Sequence, residues 1–140
     1  MHRTRRLQAQ IKTLAIVGLL ALSACNLSTD TDAPRPYILG IVSGHQLNVA
    51  AGAELSEPLG VVVIDQYGNA MHDITVAWAI TAGGGSLTAA GGASGTTLST
   101  LTNENGNTSV VYTAGPTAGP ASITATVSGI GTLTFTETIT

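Results

Sequence analysis

The stretch Ile74-Thr75-Val76-Ala77-Trp78-Ala79-Ile80-Thr81 decides the fold. Ile74, Val76, Trp78 and Ile80 fall on one side of an extended chain, and Thr75, Ala77, Ala79 and Thr81 on the other. A period of two with one apolar side marks a strand of a sheet that buries one face and wets the other. The same pattern returns downstream. Ile123, Ala125 and Val127 alternate with Thr124, Thr126 and Ser128. Leu133, Phe135 and Ile139 alternate with Thr132, Thr134, Thr136, Thr138 and Thr140. Leu59 to Ile64 is apolar throughout, as expected of a central strand covered more fully than the others.

The punctuation between these runs belongs to an all-β chain. Asp65-Gln-Tyr-Gly-Asn69 and Asn103-Glu-Asn-Gly-Asn107 each lie between strand patterns, with Gly placed for a positive φ and Asx side chains able to bond to nearby backbone. Gly83-Gly84-Gly85 and Ala89-Ala-Gly-Gly-Ala-Ser-Gly95 read as flexible loops. Nothing has the length and period of a helix. Residues 37–140 therefore predict an antiparallel Ig-like β-sandwich of about seven strands. It has no disulfide, because the chain has one cysteine, Cys25. The expected core is Trp78, Ile80, Val76, Phe135, Tyr112 and Val63. Glu137 shares the apolar side of its strand and is expected at a solvated end of the sandwich, since no cationic side chain is at hand to pair with it.

The first 36 residues are different in kind. Arg3, Arg5, Arg6 and Lys12 precede an uncharged apolar run, Leu14 to Ala24. That is the layout of a secretory signal, and the run is too short for a membrane-spanning helix of roughly 20 residues. Leu22-Ser23-Ala24-Cys25 resembles the lipobox of bacterial lipoproteins. The resemblance implies a signal peptide at 1–24, lipidation of Cys25 and a membrane partner reached through that anchor. Asn26 stands where an Asp would retain such a protein at the inner membrane of a Gram-negative host, so the expected address is the outer membrane of a bacterial envelope. Residues 25–36, polar and holding Pro34 and Pro36, read as a flexible tether of at most about 40 Å.

Charge narrows the function. The whole chain has a net charge of −3. Four of its five cations lie before Cys25, which leaves Arg35 against eight acids, or −7, in the rest. No Lys or Arg follows Pro36. Binding to nucleic acid depends on cations against phosphate, so it is excluded.

Catalytic and metal sites find little support. His45 and His72 are the histidines beyond Cys25, and both read as exposed loop residues. His72 and Asp73 are adjacent, so on an extended segment their side chains point to opposite faces. Two distant histidines do not make a zinc site. Asp65 with Asn69, and Asn103 to Asn105, have fewer acids than a calcium loop and are explained by turn chemistry. Gly83-Gly-Gly-Ser lacks the lysine and helix of a phosphate loop. The expectation is no enzyme, no cofactor and no metal.

Taken in order, several segments resemble the group 1 bacterial Ig-like domain, the repeat of the intimin and invasin adhesins. They are Glu57-Pro58-Leu59, Val63-Ile-Asp65-Gln-Tyr-Gly68-Asn69, Ile74 to Ile80, Gly83-Gly-Gly-Ser-Leu87, Thr102 to Gly106, Tyr112-Thr-Ala-Gly-Pro116-Thr-Ala-Gly119, Ile123 to Gly129 and Leu133-Thr-Phe135. The resemblance implies a β-sandwich on or near a bacterial surface, often a stalk module whose receptor-binding function resides in other domains. Here one copy is present, which departs from the tandem arrays common in that family. Two roles follow as expectations. One is a non-catalytic interaction, adhesion or spacer module with an envelope or host protein partner. The other is an accessory subunit of an envelope complex, or a binder of a small ligand or glycan through the Gly-rich loops.

Overall fold

A computed structural model describes residues 32–140. The expected signal peptide at 1–24, Cys25 and most of the expected 25–36 tether lie outside the described residues. The described chain is strand and loop throughout, with ten strands. These are β1 (Pro36–Ser43), β2 (Asn48–Val49), β3 (Leu59–Asp65), β4 (Thr75–Ala82), β5 (Gly85–Ala89), β6 (Ser94–Gly95), β7 (Thr97–Leu101), β8 (Asn107–Ala114), β9 (Gly119–Val127) and β10 (Gly131–Ile139). They form two five-stranded sheets, β1-β3-β8-β5-β6 and β2-β10-β9-β4-β7.

This is the Ig-like sandwich that the alternation predicts, with more strands than the expected seven. β2 and β6 have two residues each, too short to leave a pattern in sequence. β7 adds an edge strand beside β4. Without these three, the sheets are β1-β3-β8-β5 and β10-β9-β4, the four-plus-three arrangement of an Ig fold. One pairing departs from the antiparallel expectation, since β2 runs parallel to β10. It does so because β1 and β2 are one course of chain that leaves the first sheet after Ser43 and joins the second at Asn48.

The core lies between the sheets where the alternation puts it. Val76 and Trp78 on β4, Ile123, Ala125 and Val127 on β9, and Phe135 and Ile139 on β10 are buried. They face Leu59, Val61 and Val63 of β3, Leu87 of β5, and Val110 and Tyr112 of β8. The Trp78 and Phe135 rings are 5.8 Å apart between centroids. Both buried aromatic donors are satisfied. Trp78 Nε1 donates to Thr100 Oγ1 at 2.9 Å, and the Tyr112 hydroxyl donates to the Gly84 carbonyl at 2.8 Å. Ile80 sits nearer the end of β4, half-buried against the core. β3 is an interior strand between β1 and β8; Leu59, Val61 and Val63 are buried in the core, while Val62 and Ile64 on the other face are half-buried.

Candidate functional site

Two acids lie inside the sandwich, Asp65 and Glu137, each 3% exposed. Asp65 ends β3 and begins a five-residue turn. Its Oδ1 accepts the backbone N–H groups of Tyr67 and Asn69, both at 2.8 Å, and its Oδ2 accepts Asn69 Nδ2 at 3.1 Å. Burial pushes its pKa up, but hydrogen bonds from Asn69, Tyr67 and Gly68 outweigh this, and the carboxyl is held below its ordinary 3.8. The turn at 103–107 repeats the design with an amide. Asn103 Oδ1 accepts the N–H groups of Asn105 at 2.9 Å and Asn107 at 3.1 Å. Gly106 closes that turn at φ 73°, and an added Cβ there would lie 2.5 Å from the Val63 carbonyl oxygen, so only glycine fits. Between the two turns, the buried Thr102 hydroxyl donates to the Met71 carbonyl at 2.6 Å and accepts the Ile74 N–H at 3.0 Å. Turn chemistry explains both loops, as the sequence suggests.

Glu137 is a correction. It is not at a solvated end; it is enclosed beneath the segment that carries the chain from β1 to β2. Its donors are backbone groups rather than cations. The Leu47 N–H donates to Oε2 at 2.6 Å, and Oε1 is buried with no hydrogen-bond partner. Burial raises its pKa above the ordinary 4.5, against the opposing pull of the Leu47 N–H, His45 and the Gln46 N–H. Tyr112 is also raised, by burial first and then by the Glu137 charge.

The histidines divide. His45 is half-buried rather than exposed. It meets Phe135 edge-on, 6.1 Å between centroids, and its Nδ1 accepts the Thr136 N–H at 3.4 Å. His72 is exposed, but its Nδ1 lies 3.0 Å from Asp73 Oδ2. The two side chains meet because Asp73 takes a positive φ of 59°, which breaks the alternation that would have separated them. Both groups face solvent, without the burial that orients the acid of a catalytic triad. Among the described residues, no group of three or more His, Cys, Asp or Glu side chains could hold a metal ion.

The Gly-rich segments also differ from each other. Gly83 to Gly85 form a close crossing: all three have positive φ, and a Cβ on Gly85 would collide with the Thr113 carbonyl. The 89–95 segment is the open β5–β6 turn. With β7 and the start of β8 it lines a groove of about 550 Å³, walled by Ala89, Ala90, Ser99, Leu101, Asn107 and Ser109 among others. Its lining carries no charged side chain.

No known family model matches the chain, and no curated protein matches it by sequence. Similarity appears in three dimensions. Domains 4 and 5 of the S-layer protein SbsC align with a TM-score of 0.55 and 16% identity, over 76% of this chain and 53% of that one. A fragment of SbsC spanning domains 4–9 gives a TM-score of 0.55 and 16% identity, over 77% of this chain and 14% of that one. A conjugative transposon lipoprotein from Bacteroides eggerthii DSM 20697 aligns with a TM-score of 0.47 and 15% identity, over 72% of this chain and 93% of that one. The chain thus spans little more than half of the shorter S-layer fragment and a small part of the longer. The two S-layer alignments establish a shared β-sandwich fold.

Proposed function

We propose that this chain is a lipid-anchored protein of the bacterial envelope, whose Ig-like domain is a non-catalytic interaction, adhesion or spacer module of the group 1 bacterial Ig-like type. The observation that carries the reading is the succession within one short chain. A basic and then apolar leader ends in Leu22-Ser23-Ala24-Cys25, and a β-sandwich begins eleven residues further on, at Pro36. The interior of that sandwich is committed to packing, and its two buried acids are held by backbone N–H groups. The likeness to S-layer domains supports a fold used at bacterial surfaces. Under this reading residues 1–24 are the signal, 25–36 the tether and 37–140 the module, set at the outer membrane.

The test is metabolic labelling with a clickable fatty-acid analogue. Wild type should take up label and fractionate with membranes. Cys25→Ser should take up none, and should stay unprocessed or be shed. Equal label in both would overturn the anchored reading.

One observation favours a second reading. The neutral groove beside the 89–95 turn offers hydroxyl, amide and small apolar surface, which suits a neutral oligosaccharide. Saturable binding of such a ligand that is lost in Ser109→Leu would favour this reading over the spacer.

A further inference from the structure

Residues 36 to 53 contain no Asp, Glu, Lys or Arg, and the strand that opens them is bulged at both ends. Its register against β3 shifts between Pro36 and Ile38, and again between Ile41 and Ser43. The inserted residues are Tyr37 and Val42, which are 62% and 58% exposed. A bulge leaves its extra residue out of the ladder and re-aims the side chain. Here each bulge turns a large apolar side chain outward.

At the Tyr37 end other pieces converge. The Arg35 N–H donates to Gln66 Oε1 at 2.9 Å, which brings the incoming chain against the 65–69 turn. That turn carries Tyr67, 58% exposed. Ile38 is 45% exposed. A groove of about 280 Å³ continues the apolar surface from Tyr37, Ile38 and Leu39 to Ile130 and Leu133 at the β9–β10 turn. Arg35 is the one Lys or Arg in residues 32–140. This corner therefore joins two tyrosines, exposed isoleucine and the domain's cation. Tyrosine suits a membrane interface because its ring takes apolar surroundings while its hydroxyl stays wet. An arginine suits phosphate oxygens.

We infer that this corner rests in the headgroup layer of the membrane to which Cys25 ties the chain, with Tyr37, Ile38 and Tyr67 as the contact. The inference rests on the anchored reading above. The chain leaving Cys25 reaches the domain at Arg35-Pro36, in this same corner, on a tether of at most about 40 Å. Residues 36–53 bring no charge to the contact, and the acid of the 65–69 turn, Asp65, is buried and bonded within its own turn, so neither segment of the contact exposes an acid to the lipid. A second copy pairing along the open edge of β1 would cover the strand's whole length. It would include Val42, roughly 16 Å beyond Tyr37 at strand rise. Contact at the corner leaves Val42 in water.

Cys25 is the one native cysteine, and under the anchored reading the lipid attached to its sulfur blocks the thiol. In the full lipidated protein, Tyr37→Cys, Tyr67→Cys and Val42→Cys can each be labelled with one environment-sensitive maleimide dye. The protein is then placed on vesicles of phosphatidylethanolamine and phosphatidylglycerol. Unchanged Trp78 emission establishes that each variant is folded. Dyes at 37 and 67 should shift to the blue and lose most of their emission to headgroup-bound quencher, while the dye at 42 should behave as in water. Water-like emission at all three positions, with the protein still on the vesicles, overturns the corner contact and leaves the anchor standing. Shielding at 42 equal to that at 37 overturns it in favour of pairing between copies. A second dye taken up at Cys25, with loss of protein from the vesicles, overturns the anchored reading and this inference together.

Discussion

Asp65 and Glu137 are equally buried acids, yet the fold drives their pKa values in opposite directions. Asp65 finds its donors within four residues of itself, and both its oxygens are bonded. Glu137 depends on residues about ninety positions away, and one of its oxygens receives nothing. Their exposed areas match, but Asp65 sits in a turn and Glu137 between the sheets, so depth of enclosure and hydrogen bonding together decide the sign. A turn builds a carboxylate site from its own backbone. A strand in the core has no such resource, and the crossing from β1 to β2 supplies only part of what the charge needs.

The largest expected effect tests the framework that both acids share. Trp78→Ala removes a buried indole that touches Phe135 and bonds to Thr100. It should cost about 3–5 kcal/mol, a large share of the roughly 5–15 kcal/mol of an ordinary domain. Urea denaturation measures it. A midpoint near that of wild type would mean that the shared core is not what encloses Glu137.

The comparison is sharpened by pH. Glu137 has a folded pKa above its ordinary 4.5. Its contribution to stability is full below that value and is lost as pH rises through the raised folded value. Asp65 has a folded pKa below its ordinary 3.8. Its contribution is present above that value and is lost as pH falls through the lowered one. The two slopes oppose each other, so these groups place a stability maximum in mild acid, near 3.8 to 4.5. Thermal melts across pH 2 to 8 (about half-unit steps suffice on the scale of a single titration) should fall away on both sides. A profile rising steadily to neutrality would contradict the burial of Glu137.

Glu137→Gln isolates the upper limb. The amide keeps an acceptor for the Leu47 N–H and removes the buried charge. The decline above 4.5 should flatten, and stability at neutral pH should rise on the order of 1 kcal/mol, the low end for relieving an ill-satisfied buried group. An unchanged pH profile would assign that decline to another group.

These acids also mark how much the sequence could disclose. The faces of β4 and β9 were legible because period two leaves no freedom once one face is buried. The 65–69 and 103–107 turns were legible because their bonds close within four residues. Glu137 is placed differently from the sequence expectation because its donor, the Leu47 N–H, becomes a neighbour only when the chain crosses between sheets. The bulges that turn out Tyr37 and Val42 were hidden for the same reason, since a bulge is a relation between β1 and β3. His72 and Asp73 were separated on an assumption of extended backbone that the positive φ of Asp73 sets aside. β2 exists only as a partner of β10. The groove beside the 89–95 turn needs β5, β7 and β8 together. Local patterns were readable, and relations between distant segments were not.

The smallest expected effect comes from Asp65→Asn, and the molecule contains its own control. Asn103 occupies the corresponding position of the second turn and accepts the N–H groups two and four residues on, as Asp65 does. Each turn is also closed by a backbone bond between its first and last residues, Asp65 N–H to Asn69 and Asn103 N–H to Asn107, both at 2.9 Å. An amide oxygen at 65 can therefore keep the two backbone donors. What it gives up is the charge and one partner, because its NH₂ would face Asn69 Nδ2, now 3.1 Å from Oδ2. The melting midpoint at neutral pH should drop slightly, and the loss of stability below 3.8 should disappear with the titrating group. A drop as large as that of Trp78→Ala would mean that the charge itself, rather than the acceptor geometry it shares with Asn103, holds the 65–69 turn.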